Sequence, residues 1–341
     1  MKPFEPHPLL RNPHAQTIVS AFFPRRFSRL PRSVAREFET ELGTRIRGEC
    51  HWQAVPREGP TLVLVHGLEG SCDSGNVLGL AERAFSAGWN AVRLNQRNCG
   101  GTESLTPTLY NSGLSGDYRA VLTELIERDS LPEIFFAGYS MGGNLVLKMA
   151  GEYADAAPRQ LRAVAGVCPC VDLGVSSDAV AQPRNFIYQR HFVRSLNRRM
   201  RRKAALFPGK FDLSPLARVR TMREFDGAIT AKYCGFLDAA DYYARASALR
   251  VAGEIRVPAL ILTAQDDPVV PYSSFSDPRL TDNANIRMIA PEHGGHCGFL
   301  SRYAGDARNW AEACVMEFFA GHASRATSSV SLSAANPDTP A

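Results

Sequence analysis

Residues 134–147 read IFFAGYSMGGNLVL, and this stretch limits the possible fold more than any other. The unbroken apolar run ending at a glycine predicts a strand buried on both faces. The residues after Ser140 predict a helix. Between them stands Gly138-Tyr139-Ser140-Met141-Gly142, a G-x-S-x-G. A strand can turn directly into a helix only if small residues stand two before and two after the turn. Such a turn strains the serine backbone and lifts its Oγ above the sheet. The helix N-terminus beneath favours developing negative charge, and the Met141 N–H can point at an oxyanion. A glycine-rich strand–helix turn without chemistry is the bland alternative.

The rest of the chain continues the rhythm. VAREFE (34–39) and TRIRGECHW (44–52) alternate as strands do and flank Leu42-Gly43, a predicted hairpin. TLVLVHG (61–67), WNAVRLNQR (89–97), LRAVAGVCP (161–169), VPALILTAQDDP (257–268) and NIRMIAP (285–291) also read as strands. GNVLGLAERAFSAG (75–88), LSGDYRAVLTELIERD (114–129), MGGNLVLKMAGEYA (141–154) and DARNWAEACVMEFFA (306–320) read as helices. Alternating strands and helices predict an α/β fold, with a mostly parallel central sheet and helices on both faces. From about residue 172 to 250 the strand pattern stops, which predicts a helical lid insertion. Residues 1–33 are expected to form an irregular arm on a single domain spanning 1–322. Residues 323–341, rich in Ser, Ala, Thr and Pro, are expected to be a disordered tail.

Composition excludes several function classes. A net charge of +5 over 341 residues is too small by itself to imply nucleic acid. The eight cysteines include no CxxC pair, so neither a zinc ribbon nor a redox motif is expected. They read as reduced, mostly buried thiols. The N-terminus lacks the apolar core of a signal peptide, and no apolar run reaches membrane-spanning length. A cytoplasmic location is the expectation.

A serine nucleophile needs a base, and the base needs an orienting acid. Downstream of Ser140, two loops that follow strands offer both: AQDDPVVP with Asp266 and Asp267, and PEHGGHCGFL with His293 and His296. Ligands bind at such strand ends in open α/β sheets. The chain must turn at Pro268, which leaves the Asp267 carboxylate facing the histidine loop. Asp266 is suited to capping a backbone N–H or facing solvent. Two histidines at this spacing can bind a metal when a helix puts them on one face, and Gly294 and Gly295 argue against a helix here. No metal or organic cofactor is expected. Cys297 reads as a packing residue. A second oxyanion donor is expected from VHGLEGS (65–71), where Gly67 lets the chain turn and Leu68 offers its N–H.

LVLVHGLEG, LNQRNCGGTE, GYSMGGNLVLK, ILTAQDDPVVP and EHGGHCGFL, in this order, resemble the YheT-like branch of the α/β-hydrolase superfamily. NPHAQTI (12–18) and KAALFPG (203–209) resemble it too, so the likeness runs from about residue 10 to 320. It implies the α/β-hydrolase fold and a serine esterase that cleaves small-molecule acyl esters through a Ser-Asp-His triad. The family pattern sets the acid before x-V/I-V/I-P and the base before x-G-F, which selects Asp267 and His296 beside Ser140. The oxyanion donors would be Leu68 and Met141. Thioesterase, acyltransferase or long-chain acylglycerol lipase action on the same triad are alternatives, as is a non-enzymatic binding protein on this fold.

One stretch stands apart. Residues 184–210, RNFIYQRHFVRSLNRRMRRKAALFPGK, carry nine Arg or Lys and no acid, with apolar residues near helical spacing. This predicts a basic amphipathic helix whose apolar face lies on the core and whose cationic face is solvated. Contact with anionic lipid is the sharper expectation. Nucleic acid is not expected, since no nucleic-acid fold accompanies the patch.

Overall fold

The computed structural model describes residues 3–324. Eight strands form one sheet: β1 (Val34–Glu41), β2 (Thr44–His51), β3 (Thr61–Val65), β4 (Asn90–Leu94), β5 (Ile134–Tyr139), β6 (Leu161–Val167), β7 (Ala259–Leu262) and β8 (Ile286–Ile289). Their order across the sheet is β1-β2-β4-β3-β5-β6-β7-β8. The β1–β2 hairpin turns at Gly43, and β2 runs antiparallel to β4; every later pairing is parallel.

Strand periodicity sorts the core into two layers. In β3, Val63 and Val65 face one side, with Val121, Leu122 and Leu125 of helix α3 and Leu145, Val146 and Met149 of helix α4. Leu62 and Leu64 face the other, with Val77 and Leu80 of helix α2 and Val315 and Phe319 of the C-terminal helix. Here α1 is Pro13–Phe22, α2 is Gly75–Ser86, α3 is Ser115–Glu127, α4 is Met141–Tyr153 and the C-terminal helix is Trp310–Ala320. Both faces of the central strands are thus apolar, which is why they read as continuous runs. None of the helices among the described residues is long and apolar enough to cross a membrane.

Two expectations for the terminal segments change. The arm is not irregular throughout: α1 occupies it, with Asn12 as N-cap accepting from the His14 and Ala15 N–H groups and Pro13 at the first turn. The final helix starts at Trp310, after a 3-10 turn, rather than at residue 306. Of the tail predicted from residue 323, residues 325–341 lie outside the described residues. Ser324 is held, its N–H donating to Glu133 Oε1 at 3.0 Å.

Among the described residues the insertion holds helices and loops and no strand. It holds α5 (Leu173–Val180), the long helix α6 (Phe186–Leu206), short turns and the helix Ala239–Ala246. The basic amphipathic reading of α6 needs correction in both directions. Phe186 and Ile187, assigned to the core face, are 58% and 68% exposed, while Arg199 and Lys203, assigned to the solvated face, are buried. The cause lies in their partners. The Arg199 Nη1 donates to the Asn98 carbonyl at 2.8 Å and its guanidinium packs on the Tyr110 ring. Lys203 Nζ donates to the carbonyls of Glu103, at 2.6 Å, and Thr106. Buried cations are tolerated only with such acceptors.

Candidate active site

Ser140 sits between β5 and α4 with φ 53° and ψ −117°, outside the regions that side-chain-bearing residues favour. The turn leaves no slack. A Cβ at Gly138 would lie 2.2 Å from the Gly142 carbonyl oxygen, and one at Gly142 would lie 2.4 Å from the Val65 carbonyl oxygen. Both glycines are required for strand, helix and neighbouring strand to meet. The Ser140 N–H donates to Val167 O at 2.9 Å, fixing the turn to β6.

His296 Nε2 lies 2.9 Å from Ser140 Oγ, and His296 Nδ1 lies 2.9 Å from Asp267 Oδ2. A carboxylate can only accept, so Nδ1 carries a proton, and in the neutral ring the Nε2 lone pair faces the serine. The other carboxylate oxygen, Oδ1, accepts the N–H groups of Val269 and Val270 at 2.8 and 2.9 Å. The Asp267 side chain is fully buried. Burial works against the charged imidazolium of His296, but the adjacent Asp267 carboxylate outweighs it and holds the pKa above the ordinary histidine value.

Asp266 and His293 form a second, outer pair. Asp266 Oδ2 lies 3.2 Å from His293 Nδ1, and its Oδ1 accepts the Gly295 N–H at 2.9 Å. The two histidines are therefore held by different acids and do not converge. Cys168, His296 and Cys297 do bring ligand atoms within 4.8 Å of one another. Both His296 nitrogens are already engaged, and burial pushes the Cys168 thiol well up, so this trio is ill suited to a metal. Cys297 packs as expected, its N–H donating to Cys168 Sγ at 3.2 Å.

Leu68 and Met141 both line the cavity at Ser140. The Leu68 peptide is oriented by His66. Gln96 N–H donates to His66 Nε2 at 3.1 Å, so Nδ1 carries the proton and donates to Gly67 O at 2.7 Å. Burial pushes the His66 pKa down to about 4, so the ring stays neutral. In a trans peptide the N–H points opposite the carbonyl, so pinning the Gly67 carbonyl fixes the direction of the Leu68 N–H.

Several contacts have no counterpart in the sequence reading. Glu69, at φ 59° just past Leu68, has a buried side chain that accepts from Ser195 Oγ at 2.6 Å and from the Tyr110 hydroxyl. Arg199 Nε lies 2.9 Å from Glu69 Oε1. The loop bearing Leu68 is thus clamped to α6. Thr17 of α1 accepts the His296 N–H at 2.9 Å, and a Cβ at Gly295 would lie 2.4 Å from Pro13 O. Gln16 bridges both polar groups of the Leu300 backbone, at 2.9 and 3.1 Å. The signals for α1 were Asn12-Pro13, an N-cap followed by a first-turn proline. Glu69 carried none beyond its place in the loop.

Ser140 stands where two cavities meet. One runs under α6 and is walled mainly by apolar side chains, among them Leu109, Leu196, Met200, Phe225 and Val269. The other is a wider groove between α1, α6 and the C-terminal helix, reaching His296.

A family model described as the alpha/beta hydrolase fold matches residues 60–303. YheT of Escherichia coli (strain K12) is 30% identical to this chain over 312 residues, covering 90% of each protein. The mouse protein Phospholipase ABHD3 is 27% identical over 242 residues, 71% of this chain and 58% of its own length. Among solved structures, the Pyrococcus furiosus esterase Pf2001 aligns with a TM-score of 0.56 at 14% identity, over 86% of this chain and 93% of that one. At that identity the likeness concerns the fold alone.

Proposed function

Because this chain belongs to the α/β-hydrolase family, in its YheT-like branch, we propose that it is a serine hydrolase of carboxylic (acyl) esters. The observation that carries this reading is the unbroken hydrogen-bond chain from Ser140 Oγ through His296 to the buried Asp267. The phospholipase relative, whose substrates are esters by name, supports the same chemistry.

His296 Nε2 takes the Ser140 proton as Oγ attacks the ester carbonyl. The developing oxyanion is held by the N–H groups of Leu68 and Met141, at the positive end of α4. Asp267 stabilises the imidazolium that forms and keeps the ring in the tautomer that can accept. His296 then returns the proton to the departing alcohol, leaving an acyl-Ser140 intermediate. Water enters, gives its proton to His296 and cleaves the acyl-enzyme by the same route in reverse. The apolar chamber suits the acyl chain, and the wider groove suits the alcohol.

A fluorophosphonate probe tests this. The expected result is covalent labelling of the wild type, none of Ser140→Ala, and ester turnover lost in the same variant. Equal labelling of both proteins would overturn the role of Ser140. A matched series of esters and thioesters of rising chain length would then read the acyl preference.

A further inference from the structure

Helix α6 carries Arg190, Arg194, Arg198 and Arg201 at successive spacings of four, four and three residues. Side chains so spaced lie along one helix face. All four are exposed, and among the described residues none pairs with an acid. Some exposed arginines elsewhere pair with an acid, Arg45 with Glu37 and Arg245 with Asp241, and others, such as Arg159 and Arg250, do not; the α6 four are set apart by lying together along one helix face. Like charges one turn apart destabilise a helix. The stripe therefore carries a stability cost that no ion pair among the described residues offsets.

Large apolar side chains face water beside it. Phe186 and Ile187 begin α6; at the end of α1, Phe22 is 71% exposed and Phe23 55%. The two groups form one patch. Phe22 meets His191 of α6 edge-on at 6.4 Å, and Tyr188 OH of α6 lies 2.9 Å from His14 Nδ1 of α1. Phe22, Phe23, Ile187 and His191 also line the groove that runs to Ser140. The apolar side chains thus rim the groove mouth, and the cationic stripe runs along α6 from that same end.

We propose that this face docks the protein on an anionic phospholipid surface. The four arginines meet the acidic headgroups, and Phe22, Phe23, Phe186 and Ile187 enter the interfacial layer. The groove mouth is then turned toward the bilayer. Duplex nucleic acid would engage the arginines but leave the apolar rim in water. Arg199 and Lys203, although part of the same basic run, take no part because they are turned inward.

Vesicle flotation with the full chain tests this, using Ser140→Ala so that docking is read apart from hydrolysis. Phosphatidylcholine vesicles are compared with vesicles that also contain phosphatidylserine. The expected result is binding to the anionic vesicles alone, weakened by salt. Changing Arg190, Arg194, Arg198 and Arg201 together to Gln should weaken it on the order of 10³-fold. With Ser140 intact, the same four changes should leave turnover of a soluble ester unaltered. Phe22→Ser with Ile187→Ser should weaken vesicle binding while the stripe is intact. Three results would overturn the proposal: equal binding to neutral vesicles, an unchanged four-arginine variant, or tighter binding to duplex DNA than to anionic vesicles.

Discussion

Asp266 and Asp267 are chain neighbours that hold different histidines, and their surroundings separate them further. Asp267 is fully buried with two backbone N–H groups on one oxygen and His296 on the other; Asp266 is partly exposed and braces the loop through Gly295. Turnover requires neutral His296. Since Asp267 raises the His296 pKa, the acidic limb of kcat/KM should lie above the ordinary 6.5. Asp267→Asn removes that charge and leaves burial, which lowers the pKa. The limb should move to lower pH, and kcat should fall about 10⁴-fold because the wrong tautomer is favoured. Asp266→Asn should leave the limb in place and kcat within a few-fold. Likewise His296→Ala should abolish turnover where His293→Ala only weakens it. A pH profile on a soluble ester reads these effects, and equal limb shifts from both Asp variants would mean the inner pair is misassigned.

At the scale of elements, α6 has two dissimilar ends. Its first turns carry exposed Phe186 and Ile187, while its later turns are fastened by Arg199, by Arg202 to Glu103 at 2.8 Å and by Lys203. Arg199 matters most, because its partner Glu69 follows Leu68 directly. Removing one member of a buried ion pair strands the other, at about 3–5 kcal/mol. Arg199→Ala should therefore lower Tm. It should also lower kcat more than it raises KM, since the loosened loop no longer holds the Leu68 N–H. Thermal unfolding and steady-state kinetics check this together. A large loss of Tm with kcat unchanged would show that the clamp supports the fold without supporting the site.

Across the whole molecule, the first residues reach the last loops. Glu5 pairs with Arg302 at 2.8 Å, Pro6 bridges Ser301, and Arg25 pairs with the buried Glu312 at 2.6 Å. In between, Thr17 holds the backbone of His296, 279 positions away. Deleting residues 1–22 should depress Tm and kcat together. Thr17→Val should do so more mildly, by about 1–3 kcal/mol for the unmet donor. Activity of the truncated chain equal to that of the full chain would show that α1 is dispensable for placing His296.

Much of this was legible in the sequence because it is local. Apolar runs of strand length, helical periods and the steric demand for Gly138 and Gly142 are set by near neighbours in the chain. They gave the parallel sheet and the loops bearing Ser140, Asp267 and His296, which the structure brings within hydrogen-bonding distance. Choosing Asp267 over Asp266 needed the family pattern as well, since adjacent carboxylates differ only in what surrounds them. Tertiary structure alone decided which cations of α6 face inward. Whether a charge is buried depends on an acceptor that residue spacing does not reveal, such as Glu69 for Arg199 or the Glu103 and Thr106 carbonyls for Lys203. It also decided that α1 braces the histidine loop. That contact joins the two ends of the chain, and only the closed fold brings them together.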